Sequence, residues 1–396
     1  MNEILQLVGR EKPLFREDLK ETSDALKSAI EGKRVLVIGG AGSIGQNVAK
    51  EVFKRNPAVL HVVDISENNL VELVRDIRSS LGYIQGDTAF LPIDMGSREY
   101  ESFWNKNAPY DYIFNLAAMK HVRSEKDEFS LMRMIKTNIL YTQKTLDLAI
   151  KAGAKKYFAV STDKAESPAN LMGATKRIME LCLSQHGSQT AVSTARFANV
   201  AFSDGSLLHG FGERLNKRQP LSAPKDVKRY FMTGPEAGLL CLFSAVLGND
   251  DEIYFPNLNP EENLITFSQI AERYLEQKGY EPVRVDSEDE ARARTEELIP
   301  QGKWPCYFFE SDTSGEKPFE EFYSAKDNVD WDRHHDLGVI RGISPESGKD
   351  VAQFISAIEN LAASGDWSKS QLVSLIKDYC PTLAHVETGK YLDGKM

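Results

Sequence analysis

The stretch KRVLVIGGAGSIGQNVAKEVFKR, residues 33–55, decides how the rest of the chain is read. It begins with RVLVI, a short apolar run without alternation, which reads as a strand buried on both faces. A glycine-rich turn follows, and a helical segment follows the turn. Gly39, Gly42 and Gly45 punctuate it as G-x-x-G-x-x-G, with Ser43 and Ile44 between the last two. In a strand–turn–helix unit of this kind the backbone can approach a pyrophosphate, and the helix N-terminus can point its free N–H groups at the charge. The turn and its intervening residues are therefore assigned to a dinucleotide.

Working outward, VLHVVDI reads as the second strand and ends near Asp64. An acid there accepts hydrogen bonds from a ribose 2′-hydroxyl and repels a 2′-phosphate. No Arg follows in DISENNL, so NAD is favoured over NADP, with Ser66 in the same site. Asp94, after the third strand TAFLPID, is placed near the adenine together with Met95. Ala117 and Ala118, after the fourth strand YDYIFNLAA, leave room for the nicotinamide ribose.

The alternation continues with helices over 67–80, 97–106, 128–152 and 171–186, and a strand KKYFAVST between the last two. Short apolar strands alternating with helices predict an α/β fold, a Rossmann-like doubly wound parallel sheet covered on both faces. An N-terminal helical arm occupies 1–31, and the dinucleotide-binding domain 32–200. A smaller α/β substrate lobe is expected over 201–345, with DEIYFPNL near 251–256 returning to the sheet. Residues 346–396 form a C-terminal helical extension. A helix is expected over 263–278, and DSEDEARARTEELI reads as a solvated helical face.

The 396 residues carry a net charge of −10, which disfavours nucleic acid or an anionic membrane as partner. No apolar run is long enough to span a membrane. Cys182, Cys241, Cys306 and Cys380 are far apart and read as reduced thiols, so a cytoplasmic protein is expected. His334 and His335 beside Asp332 lack a third His or a Cys nearby, and no metal site is expected.

At the end of the fifth strand, STDKA places Thr162, Asp163 and Lys164 at the carboxyl edge of the sheet, where ligands bind. Lys176 follows on the next helix. This outline resembles the extended short-chain dehydrogenases, except that the Tyr expected four residues before Lys176 is Met172. Through LVGRE, NLAAMKHV, STDKA, MGATKR, RFANV, GSLLHGFGERL, KRYFMT, SGEKPFEEF and HVETGKYLDGKM the chain resembles, more narrowly, nucleotide-sugar 4,6-dehydratases of bacterial polysaccharide synthesis. The closest likeness is to the UDP-N-acetylglucosamine type that carries Met in place of Tyr.

The resemblance implies oxidation at sugar C4 by NAD, loss of water across C5–C6, and return of hydride to C6. It makes Asp163 the acid for the leaving 6-hydroxyl, Lys164 the C5 base, and Thr162 a hydrogen-bond partner of the C4 hydroxyl. Lys176 holds the nicotinamide ribose. It places Lys120, His121 and Met172 beside the sugar, and Asn199 and Arg229 at the nucleotide diphosphate. It also implies a nucleotide-sugar substrate, C5 retention, and a homo-oligomer paired through two helices flanking the sheet. Asp163 must be protonated and Lys164 neutral, which burial favours and a direct ion pair between them opposes. Adjacent residues at a strand end tend to point to opposite sides, so the pair need not form. The O4 proton has three candidate carriers: Thr162, a water, or the Asp163 carboxylate. Two departures from the family stand out: the Arg usually found before Gly-Glu-Lys is missing from DTSGEKPFEE, and FPNLNPEENLITF replaces a commoner strand and turn. A 4-epimerase, a 4-keto reductase and a non-catalytic NAD sensor are the competing readings.

Overall fold

In a computed structural model the chain is described over residues 2–187, 189–312, 317, 319–343 and 350–385. Five strands read from the sequence form as β1 (Arg34–Ile38), β2 (Val59–Asp64), β3 (Asp87–Pro92), β4 (Tyr112–Asn115) and β5 (Lys156–Val160), and β6 (Ala191–Ala195) follows, a strand the sequence reading did not single out. They are joined by β7 (Glu252–Pro256), β8 (Val329–Asp330) and β9 (Leu337–Arg341). The order across the sheet is β8-β9-β7-β6-β5-β4-β1-β2-β3. Pairing is parallel from β3 to β7 and antiparallel at β9 and β8. The order reverses between β1 and β4, which opens the ligand crevice at their carboxyl ends.

The apolar run of β1 serves two cores at once. Val35 and Val37 face the side packed by the helices Gly45–Phe53, Glu67–Ser80 and Gly234–Leu247. Leu36 and Ile38 face the side packed by Arg98–Asn107 and Tyr141–Lys151. A strand buried on both faces needs apolar residues at every position, which is why no alternation shows in its sequence.

The long helix expected over 128–152 forms as Glu128–Ile135 and Tyr141–Lys151 joined by a π turn, Lys136–Leu140. The helix Leu171–Ser184 is buried on all sides, every residue from Leu171 to Leu183 included. The sheet covers one flank, and the C-terminal helices Val351–Ser364 and Lys369–Tyr379 pack on another. Part of that helix's flank is therefore occupied within the chain itself.

Among the described residues the smaller lobe contains two three-stranded sheets. Lys228–Met232 lies between Asn199–Val200 and Leu264–Thr266, and Lys303–Phe309 lies between Leu221–Pro224 and Glu281–Val285. The helix expected over 263–278 starts only at Phe267. Leu264–Thr266 pairs as a strand with Lys228–Tyr230, and Thr266 and Gln269 close a capping box. In the acidic run near 286–299, Ala291, Thr295 and Leu298 are buried, so its helices present one apolar face inward.

The expected domain boundaries need two corrections. The helix Gly234–Leu247 and the strands β8 and β9 belong to the central sheet, although they fall within 201–345. The N-terminal arm divides between two cores: Leu7 and Val8 join the lobe, while Leu26 and Ile30 join the sheet layer. Between them Arg10 holds Glu236 through two hydrogen bonds of 2.7 and 2.8 Å. Among the described residues no helix is long and apolar enough to cross a membrane.

Candidate active site

The glycines of the turn do three different jobs. Gly39 has φ +70°, and a Cβ there would sit 2.5 Å from the Ala117 amide nitrogen, so β1 and β4 can approach only if it is Gly. A Cβ at Gly45 would overlap the Gly39 carbonyl, so this residue lets the helix seat on the turn. At Gly42 a Cβ would meet nothing nearer than Gly39 O at 3.6 Å. The chain itself leaves that space open, in front of a helix whose N-terminus no side chain caps. The neighbouring helices starting at Glu67 and Arg98 are capped by Ser66 and Ser97. An open glycine before an uncapped helix end fits a pyrophosphate.

The Asp64 carboxylate accepts the backbone N–H groups of Ala41 and Ser66, both at 2.9 Å, which fixes it at the mouth of the turn. Ile65 beside it is 70% exposed, a flat apolar surface next to the acid. Burial pushes the Asp94 carboxyl up, but the Gly96 amide and the Arg133 guanidinium outweigh it and hold it below the ordinary value. The Ser66 hydroxyl caps a helix, and the Met95 side chain is buried in the core. Ser43 Oγ accepts the N–H of Asp204, tying the turn to the entrance of the lobe.

Asn138 was not legible from the sequence. It lies fully buried in the π turn, accepts the N–H of Met119, and donates to Met119 O and to Thr175 Oγ1. It thus clamps the loop carrying Ala117 and Ala118 to the helix carrying Lys176. A polar residue inside a long helix was the available signal, and π turns often mark functional sites.

At the end of β5 the chain turns into a short 3₁₀ helix, Asp163–Ala165. This local winding overturns the expectation that Asp163 and Lys164 point apart. Lys164 Nζ donates to Asp163 Oδ1 at 2.9 Å, and the Thr162 hydroxyl donates to the same oxygen at 2.9 Å. Asp163 is 3% exposed. Lys164 also lies 3.8 Å from Glu320 Oε1, a buried carboxylate of the lobe that the sequence reading did not single out.

Behind the strand, Ser161 donates to Glu180 Oε1 at 2.6 Å, and Arg196 donates to both oxygens of Glu180 at 3.0 and 2.8 Å. The third Arg196 nitrogen reaches the carbonyl of Phe322, which docks the Glu320 segment on the same frame. Lys176 is buried, with Nζ on Val160 O at 2.9 Å, and burial pulls its ammonium down to about 7. Met172 is buried at the start of its helix, where its N–H donates to Glu125 Oε1.

The sugar-side residues come together in part. Lys120 Nζ donates to Ser203 Oγ at 3.3 Å, and the His121 ring lies against Gly205, so two loops face each other. Burial lowers both basic groups, and the Lys120 and Arg123 charges lower His121 further. Asn199 is half-buried at the entry to the lobe. Arg229 is buried, donates to the carbonyls of Lys228 and Lys317, and lies 3.9 Å from Glu320. The stretch 313–316, where the family Arg is missing, and the terminal residues 386–396 lie outside the described residues. His334 contacts Asp18 and Tyr254, and His335 contacts Glu21, which pins the N-terminal helix. Among the described residues no group of three or more His, Cys, Asp or Glu is placed to hold a metal.

Sheet order, glycine turn and the polar end of β5 together define a chain of the extended short-chain dehydrogenase class. Residues 35–341 match the family model described as polysaccharide biosynthesis protein, and the chain belongs to that family. It is 32% identical over 265 residues to a protein of Methanocaldococcus jannaschii named an uncharacterized membrane protein, covering 64% of this chain and 75% of that one. It is 28% identical to the capsular polysaccharide biosynthesis protein CapD of Staphylococcus aureus, over 67% of this chain but only 44% of CapD. It is 29% identical to an inverting UDP-N-acetylglucosamine 4,6-dehydratase of Campylobacter jejuni, over 57% of this chain and 67% of that one. Among solved structures, Pen from Bacillus thuringiensis superimposes with TM-score 0.65 at 23% identity, covering 84% of this chain and 98% of Pen. A dTDP-glucose 4,6-dehydratase from Streptomyces venezuelae with NAD bound superimposes with TM-score 0.54 at 18% identity, covering 74% and 89%.

Proposed function

We propose that this chain is an NAD-dependent nucleotide-sugar 4,6-dehydratase that acts on UDP-N-acetylglucosamine and retains the configuration at C5. The observation that carries the reading is the series Thr162–Asp163–Lys164, hydrogen-bonded in line at the carboxyl edge of the sheet while Met172 occupies the usual Tyr position. The open Gly42, the uncapped helix start and Asp64 supply the seat for NAD.

Bound NAD supplies the hydride acceptor for C4 and the hydride donor for C6. The chain's own residues manage the protons. Thr162 Oγ takes the proton of the C4 hydroxyl while its own passes to Asp163 Oδ1, 2.9 Å away. Asp163 acquires in this way the proton that the leaving 6-hydroxyl needs, and water departs. Lys164 takes the C5 proton and returns it to the same face, which retains configuration. The proton lost at O4 leaves in the water, so the path of that proton closes without an outside acid. The missing phenol is replaced by a hydroxyl–carboxylate relay, and the ion pair that first looks obstructive is the resting state of that relay. Lys176, buried beside β5, orients the cofactor's ribose.

A 4-epimerase or 4-keto reductase gives Asp163 and Lys164 no task, and the Met172 thioether cannot exchange a proton with O4. The test is incubation with UDP-N-acetylglucosamine in heavy water. We expect a product lighter by one water, carrying deuterium at C5 with unchanged stereochemistry. An isomer of unchanged mass would establish epimerisation instead, and NAD binding without turnover of any nucleotide sugar would leave a sensor.

A further inference from the structure

The relay just described leaves one proton unplaced, and the inference here rests on that reading. In the resting pair one proton is shared by Asp163 and Lys164. Oxidation at C4 brings a second proton to Asp163 through Thr162. Lys164 must then be a free amine to take the C5 proton, so its ammonium proton needs a seat other than Asp163.

We propose that Glu320 is that seat: a positioning residue which takes the proton of Lys164 while Asp163 holds the proton from O4. Glu320 Oε1 lies 3.8 Å from Lys164 Nζ, and the carboxyl is 3% exposed. Among the described residues its Oε2 has no hydrogen-bond partner, although the atom is buried. Around it stand Lys164 and Asp163 from the end of β5, Arg229 from the lobe strand at 3.9 Å, and Lys317 from its own segment at 3.9 Å. None of the three cations is close enough to hydrogen-bond the carboxyl at these distances. A buried acid left in this condition is ready to accept a proton. Burial, with the Asp163 charge, holds its carboxyl above the ordinary range despite the cations. Two residues on, the Phe322 carbonyl accepts a hydrogen bond from the buried Arg196 at 2.7 Å, which ties this segment to the end of the sheet.

The proton inventory closes. Lys164 gives its proton to Glu320, takes the C5 proton, and returns it to C5. Asp163 loses its proton to the departing water. Glu320 then returns its proton to Lys164, and the resting pair re-forms. No oxidant or outside acid enters.

The test compares wild type, Glu320→Gln and Glu320→Asp in product formation and C5 deuterium exchange across pH, with NAD content and melting temperature recorded. Glu320→Gln should keep NAD and its melting temperature. At neutral pH it should lose about a hundredfold in C5 exchange, and its acid limb should move to higher pH, because Lys164 must now release its proton to solvent. Glu320→Asp should restore the wild-type limb at a reduced rate. An acid limb that stays in place or moves to lower pH in Glu320→Gln overturns the proposal, since loss of a neighbouring negative charge alone eases deprotonation of Lys164. If Glu320→Gln does not fold, Glu320→Asp decides alone: a slower exchange on an unmoved limb supports the seat, and a wild-type rate overturns it. A wild type that removes no water from any nucleotide sugar refutes the underlying reading before either variant is made.

Discussion

Two buried charge clusters share the end of β5, each a glutamate among cations, arranged in opposite ways. Behind the strand, Glu180 is fully buried and hydrogen-bonded by Arg196, Arg177 and Ser161 at 2.6–3.3 Å. In front of it, Glu320 is almost as buried, but its three cations stand 3.8–3.9 Å away. Burial pushes both carboxyls up. Around Glu180 the Arg196 charge and hydrogen bonds outweigh it, and the carboxyl stays below the ordinary range. Around Glu320 they do not, and it lies above. A buried ion is tolerated when hydrogen bonds repay its desolvation, and is open to protonation when they do not. The difference separates a cluster that holds the frame from one that moves protons over it.

Removing a front-cluster residue should therefore damage chemistry and spare folding. Lys164→Ala carries the largest expected effect. Water loss should fall by about 10³–10⁴-fold, as for the loss of a general base. Oxidation at C4 should persist as a transient absorbance in the NADH band. Product formation at the wild-type rate would remove Lys164 from the front cluster's task.

A rear-cluster change should do the reverse. Glu180→Gln leaves the buried Arg196 guanidinium facing a neutral amide, and should cost roughly 3–5 kcal/mol of stability. Denaturant unfolding measures this, and turnover per folded molecule should fall far less than in Lys164→Ala. An equal loss of turnover at unchanged stability would erase the distinction between the clusters.

Lys176 offers the smallest effect. In the folded protein burial brings its ammonium down to about 7, and the unfolded chain keeps its proton to about 10. Between those values the unfolded state holds more protons, so the stability of the cofactor-free protein should rise with pH by up to about 1.4 kcal/mol per unit. Lys176→Met should flatten that rise. A slope that survives in the variant belongs to another group.

Much of this architecture was legible in advance because its causes are local. The unbroken apolar runs marked strands buried on both sides, and the spaced glycines marked a turn against a second backbone. The Asp after the second strand was placed by its position alone. The misreadings at the site were of another kind. The pairing of Asp163 with Lys164 followed from a 3₁₀ turn in place of extended chain. Asn138 was hidden because a helix with one wide turn has the same apolar spacing as a regular one over a few residues.

By itself, the order of residues determined the doubly wound sheet, the dinucleotide turn and the presence of an acid and an amine at the end of β5, since each depends on neighbours a few positions apart. Only the tertiary structure decided which carboxylates those groups meet. Glu180 and Glu320 come from distant parts of the chain, and hydrogen-bond contact and a 3.8 Å gap differ by about one ångström. Packing between the lobe and the sheet sets that ångström, and with it whether a buried acid braces the fold or carries a proton.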